Sequence, residues 1–331
     1  MDKNRNISLD LIRSVAIIFV ILQHCWSMLG YSSELGWRSY TCRYGQIGVA
    51  LFVMVSGALL LPKTQPIGEF LKKRLPRVLI PFGIIGTCVY VLSALLHRYA
   101  DIHSWSDAVS CYFPYLFENK INEAYWYIFL IIGLYLVTPF LQRALHTMDE
   151  PENKRLLRFG LFLWFCLSIM ETIYPQCKFF KLYSFGADDF IGYFLAGYYS
   201  VHYFTNKGQY KWWFFTGALV TCILNFVLVS QQIRLPIILI VETLCIFLFL
   251  SSITSCNSFI SKGVILVSRY SYTIYLCHFV LVSALIALGA NGLPKVAAPT
   301  ILGIVTLMLT TLLCFCIDKC KFINNKLVGI N

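Results

Sequence analysis

Long apolar blocks separated by short polar stretches run the length of the chain. The first block, SVAIIFVIL, lies between Asp10 and Arg13 on one side and His24 on the other. A helix of about 20 apolar residues crosses a hydrocarbon core of roughly 30 Å. Runs of that kind can be read at 12–29, 44–61, 79–97, 124–142, 157–174, 185–202, 211–230, 235–252, 271–290 and 297–317. The pattern predicts an all-α polytopic membrane protein with about ten transmembrane helices. The sixth run, FGADDFIGYFLAGYYSVHY, is the weakest, being short, polar at its start and rich in Gly and Tyr, so nine or eleven spans also fit. No internal repeat and no long Pro/Gly/Ser linker divides the sequence, which reads as a single integral-membrane domain over 1–331.

Composition agrees with the pattern. The 331 residues are 58% hydrophobic and 13% charged, with a mean hydropathy of +0.69, far from the balance of a soluble domain. Placing the N-terminus inside puts eighteen Lys and Arg on that side and eight on the other, with Arg13 within the first span. Because positive residues stay cytoplasmic, both termini are predicted there. The net charge of +11 is spread over short loops on one membrane side, which topology explains, so no nucleic-acid partner is expected. The first apolar run lacks an obvious small-residue cleavage site and should stay as the first span. Most of the thirteen cysteines fall inside spans, where cysteine packs as a small apolar residue. No CxxC pair and no Cys/His cluster suggests a metal. Cys42, Cys111 and Cys177 lie near the predicted outer side, which leaves one disulfide open.

A charged group inside a span costs roughly 2.5–3.5 kcal/mol on insertion scales and is therefore a hint of function. Arg13 and His24 are eleven residues apart, so on a helix they are offset by about 20° and stand about 16 Å apart along the axis. They line one stripe of an apolar helix that must face protein or a cavity rather than lipid. Asp10, three residues before Arg13, is placed to pair with it. His278, in SYTIYLCH, lies about 12 Å from the inner edge of its span by helix rise. Glu242, in PIILIVETL, is the carboxylate well inside an apolar run, near the depth of His24. Carboxylates often hold a histidine in its useful tautomer, and Glu242 is read as that orienter or as a pin between helices. The basic cluster Lys72, Lys73, Arg74 and Arg77 lies between the second and third spans, with Pro76 and Pro81 expected to fix the turn into the third.

These motifs resemble acyltransferase family 3, the bacterial inner-membrane O-acyltransferases. RSVAIIFVILQH is similar to the family's Arg/His signature in the first span, LFVMVSGALLL to its Ser-Gly motif, and FLKKRLPRVLIPF to its basic RxxR-and-Pro loop. WYIFLIIGLYLVTPFL, FIGYFLAGYY and SYTIYLCH follow in the family's order, so the likeness runs from about residue 8 to about 280. Two departures stand out: Ala124 and Tyr125 occupy places where the family often has a His before the Trp, and Ser268 replaces a frequent Gly. The family's extra C-terminal periplasmic hydrolase-like domain is not expected here. Among short members the chain looks most like surface-polysaccharide O-acetyltransferases acting on O-antigen.

The resemblance implies transfer of an acetyl group from cytoplasmic acetyl-CoA to a sugar hydroxyl of a surface glycan, with lipopolysaccharide O-antigen as the expected acceptor, at the inner membrane. Expected partners are acetyl-CoA, a lipid-linked or nascent polysaccharide and membrane lipid. Lys73, Arg74 and Arg77, with Lys72 beside them, would meet the cofactor's phosphates. Arg13 would hold it at the entrance, and Ser56 and Gly57 would leave a gap for its pantetheine arm. His24 would act as general base or carry a transient acetyl group, assisted by Glu242 and His278. Asp188, Asp189, Glu123 and Glu171 would bind the acceptor sugar at the outer mouth, or serve as hydrated helix ends. A transporter or flippase is the competing class, and it more often shows inverted repeats or broken helices in matching positions.

Overall fold

A computed structural model of the chain describes residues 5–30, 38–96, 98–173, 190–204, 206–231, 233 and 235–319. Among these there are helices and turns and no strand. The helices are α1 (Ile7–Leu29), α2 (Arg38–Leu60), α3 (Ile67–Leu95), α4 (Trp105–Phe117), α5 (Trp126–His146), α6 (Glu150–Ile173), α7 (Phe190–His202), α8 (Lys211–Ser230), α9 (Pro236–Ser251), α10 (Ser258–Ala287) and α11 (Ala298–Lys319). Six segments have the length and apolarity to cross a membrane: 7–29, 67–95, 123–146, 211–229, 258–287 and 298–319. Tyr44–Leu60 and Ile237–Ser251 are shorter apolar helices. The protein is thus an all-helical, multi-pass membrane protein.

The innermost helix is α1, which packs against α2, α9, α10 and α11. Its ends are well defined. The Asn6 side chain accepts from the Ser8 amide, and Gly30 closes the other end at φ 74°, a left-handed conformation that glycine adopts without a Cβ clash. Ile12, Ala16, Ile17, Val20, Ile21 and Cys25 are buried on it. At the opposite extreme, α8 exposes Trp212, Trp213, Leu219, Val220 and Ile223. In water such a surface would aggregate, and in a bilayer it is the lipid face.

Among the described residues, the α2–α7 crossing brings two helix backbones into the closest approach at glycines. A Cβ on Gly57 would overlap the Phe194 carbonyl, and one on Gly197 would overlap the Met54 carbonyl. Small residues allow this backbone approach, which in lipid replaces a hydrophobic driving force between helices. The last carbonyls of α2 are then capped from other helices. Gln142 Nε2 donates to Leu60 O at 2.7 Å, while ring nitrogens of His146 and His202 meet Leu61 O and Ala58 O at 3.3 and 3.2 Å. Carbonyls at a helix end have no partner within their own helix, so these side chains complete the C-terminal end of α2.

Two expectations change. Pro76 and Pro81 do not mark a turn: both lie inside α3, which begins at Ile67, twelve residues before the apolar run. Neighbouring helices and polar groups can compensate proline's missing N–H in a membrane helix, so the basic cluster is helical and its side chains are sorted by face. In addition, the 98–123 segment contains an amphipathic helix, α4, with a capping box in which Ser104 accepts from the Asp107 amide and Asp107 from the Ser104 amide. Its Trp105, Val109, Phe113 and Phe117 are exposed along one stripe, four residues apart.

Candidate active site

The candidate site is assembled on α1, α3, α5 and α10. At the His24 level, α1 and α10 bring two imidazoles together, with ring centroids of His24 and His278 5.1 Å apart. Phe279 meets His24 edge-on at 5.3 Å. His278 is fully buried, and its Nδ1 lies 2.6 Å from the Tyr275 carbonyl oxygen. A carbonyl only accepts, so Nδ1 carries the proton, and Nε2 keeps its lone pair. That Nε2 is buried without a hydrogen-bond partner, as is the Tyr275 hydroxyl. His24 itself is half-buried, on the same α1 stripe as Arg13.

Near its start, α1 is anchored by Asp10, which is 4% exposed. Arg5 grips this carboxylate through Nε at 2.5 Å and Nη2 at 3.1 Å, and Ser268 Oγ donates to it at 2.6 Å from α10. Ser14 Oγ adds a bond to Val264 O at 3.0 Å. The expected Asp10–Arg13 pair survives only at 4.0 Å, because the carboxylate is already occupied. Ser268, standing where the resembled family often has Gly, is therefore part of the α1–α10 clasp.

Arg13 is left with its donors largely unspent and 34% of its side chain accessible. It lies within electrostatic reach of Tyr127 and Tyr135 on α5. Tyr135 in turn feels Arg74 and Arg77 of α3 together with Arg13. Arg74 and Arg77 are three residues apart, hence on adjacent positions of one helix face, and both are half-buried. Arg74 Nε is buried without a partner. Lys72 and Lys73, by contrast, are exposed. The basic cluster thus splits into two arginines turned toward the bundle and two lysines turned to solvent.

A wall of aromatic rings connects the two ends. Tyr127 packs on Tyr275 at 5.3 Å and on Phe52 at 6.1 Å, and Tyr275 packs on His278 at 5.6 Å. Tyr272 on α10 donates to Val78 O of α3, and Tyr125 to Leu276 O of α10, at 2.8 and 3.1 Å. Tyr125 therefore ties α10 to the start of α5 in the region where the resembled family often carries a histidine.

Other expected site residues are placed elsewhere. Glu242 is 3% exposed and accepts from Asn225 Nδ2 at 3.0 Å, joining α8 to α9, whereas His24 is contacted by rings. Ser56 Oγ is spent on Phe52 O at 2.9 Å, and Gly57 is filled by the backbone of α7 rather than bordering a gap. Glu123 is exposed in the turn before α5, at the opposite end from the arginines. Asp188 and Asp189, the side chain of Glu171, Cys177 and the side chain of Cys42 lie outside the described residues. Sequence reasoning missed Tyr127, Tyr135 and Tyr275. Their signal was present in WYIFLIIGLY and SYTIYLCH, where tyrosines recur inside spans at spacings that return them to nearby faces.

A family model described as an acyltransferase domain matches residues 6–319. The match covers nearly the whole chain and extends through α11. The chain therefore belongs to acyltransferase family 3. Searches of curated proteins and of solved structures found no match.

Proposed function

We propose that this acyltransferase moves an acetyl group from acetyl-CoA to a sugar hydroxyl of a surface glycan, with O-antigen of lipopolysaccharide as the acceptor class, at the bacterial inner membrane. The chain crosses the membrane ten times, all described helices except α4 spanning it, with both termini and the Arg74 end of the site in the cytoplasm. The observation that carries this reading is geometric: Arg13, half-buried with its donors largely unspent, lies on the same α1 stripe as His24, whose ring stands 5.1 Å from that of His278.

Each group then has a task. Arg74 and Arg77 hold phosphate oxygens of the donor through fork-shaped N–H pairs, and Arg13 neutralises charge further in. The narrow pantetheine arm follows the tyrosine wall toward the imidazoles. His24 takes the proton of the acceptor hydroxyl as that oxygen attacks the thioester carbonyl carbon. The C–S bond breaks, and the thiolate leaves as CoA thiol with the proton returned by the imidazolium. His278, its tautomer fixed by the Tyr275 carbonyl, positions His24 from α10.

The test is transfer of labelled acetyl from acetyl-CoA to membrane glycan by vesicles carrying the full chain. His24→Ala is expected to lower the rate by about 10²- to 10⁴-fold, the usual span for a general base. Transfer at the wild-type rate by a normally inserted His24→Ala protein refutes the proposal.

A further inference from the structure

A cavity of about 580 Å³ opens between the segment entering α3 and the last turns of α5, lined among others by Thr64, Ile67, Pro139, Gln142 and Arg143. Its volume is in the range of small-molecule sites. Its walls continue the faces that carry the arginine cluster. On α3, Ile67 and Arg74 are seven residues apart and so nearly in line, about 10 Å along the axis. On α5, Pro139 and Gln142 follow Tyr135 by four and seven residues, again on one face.

Two features of the cavity ask for a ligand. Gln142 is 2% exposed, its Nε2 donates to Leu60 O, and its Oε1 has no partner although it is buried. The carbonyl partner settles which end of the amide is which, so the orphaned atom is an acceptor. Arg143 is exposed beside it, with no ion-pair partner for its guanidinium among the described residues. The start of α3 lies at the same wall, and Pro66 caps it without a side-chain hydrogen bond. Its first amides are therefore open to an anion. Glu69 stands about 200° round the helix from Ile67 and faces away.

We infer that this cavity is the seat of the adenosine 3′,5′-bisphosphate head of coenzyme A. Gln142 Oε1 accepts a hydrogen bond from the nucleoside, Arg143 and the first amides of α3 take the 3′-phosphate, and the pyrophosphate falls at Arg74, a nucleoside's length further along. The inference rests on the donor proposed above and adds the residues that select a coenzyme A thioester over a shorter one.

Equilibrium binding to the full chain in detergent or nanodiscs tests it. Adenosine 3′,5′-bisphosphate is expected to displace acetyl-CoA from the wild type, and ADP, without a 3′-phosphate, to do so at least tenfold less well. Arg143→Ala, a change at an exposed side chain with no ion-pair partner among the described residues, should weaken acetyl-CoA binding about tenfold, the order of one charge-assisted phosphate contact. The same variant should leave S-acetylpantetheine binding as it is. Gln142→Met, checked for thermal stability, should weaken binding of the bisphosphate. If acetyl-CoA binds but the bisphosphate does not displace it, ADP matches it, or both variants bind as the wild type does, the cavity assignment is overturned while the donor stands. If acetyl-CoA does not bind the wild type at all, both fall.

Discussion

Among the described residues His24 meets rings and no carboxylate, and that distinguishes its setting from a Ser-His-Asp arrangement in which an acid orients the base. In the proposed mechanism His24 is positioned instead by ring packing against His278, 5.1 Å away on α10. His278→Gln is accordingly expected to lower kcat with little change in KM for acetyl-CoA, measured by steady-state transfer in vesicles, since His278 acts through His24. The same logic separates the basic residues. Arg74→Ala should raise KM for acetyl-CoA about tenfold or more, the scale of a charge-assisted hydrogen bond, while Lys73→Ala at an exposed position should leave it within a factor of two. The sequence identified Arg13, His24 and His278 as embedded polar groups because charge in an apolar run is conspicuous. It could not sort Arg74 and Arg77 from Lys72 and Lys73, which depends on where α3 starts, nor assign Asp10 to Arg5 and Ser268, which are 5 and 258 positions away.

Helices meet here by close backbone approach and by side chains that cap foreign helix ends. Gly57→Ala places a methyl group where the Phe194 carbonyl sits, and such overpacking costs about 1–3 kcal/mol. Thermal unfolding in detergent should show a lower midpoint, with Gly197→Ala behaving alike because it strikes the same crossing from the other side. The sequence presented Ser56 and Gly57 as a gap or as packing, and only the partner helix decides between them. Periodicity placed most apolar runs within a few residues of a helix. It failed where proline was taken as a stop, since α3 passes through Pro76 and Pro81, and it did not find α4, whose apolar stripe is one face of a short helix. That helix is expected to respond to acid. Hydrogen bonding from Ser104 and the His103 amide holds the Asp107 carboxyl below its ordinary value of 3.8. A depressed folded value means the contribution is present above the ordinary value and is lost as pH falls through the lower one. Trp105 fluorescence should report loosening of the start of α4 in that acid window, and Asp107→Asn should remove this pH dependence.

At the scale of the whole molecule an apolar core holds a scatter of buried polar side chains from several helices, among them Asp10, Gln142, Glu242, Ser268 and His278, while α8 turns Leu219, Val220 and Ile223 outward. Composition made the membrane class legible, and the ordered motifs made the family legible, because both are properties of the chain read end to end. The ring contacts between the arginine end and the imidazoles were not legible, since they come from Tyr127 and Tyr275 on separate helices 148 positions apart in sequence. The proposed function stands on that arrangement: donor held at one end, chemistry at the other. Single-turnover transfer followed as a function of acetyl-CoA concentration tests it most directly. Arg74→Ala should shift the curve to higher concentration and reach a plateau near that of the wild type. His24→Ala should keep the concentration dependence of donor binding and lose the plateau rate by at least a hundredfold. A His24→Ala protein that reaches the wild-type plateau, or an Arg74→Ala protein with an unshifted curve, would contradict the account.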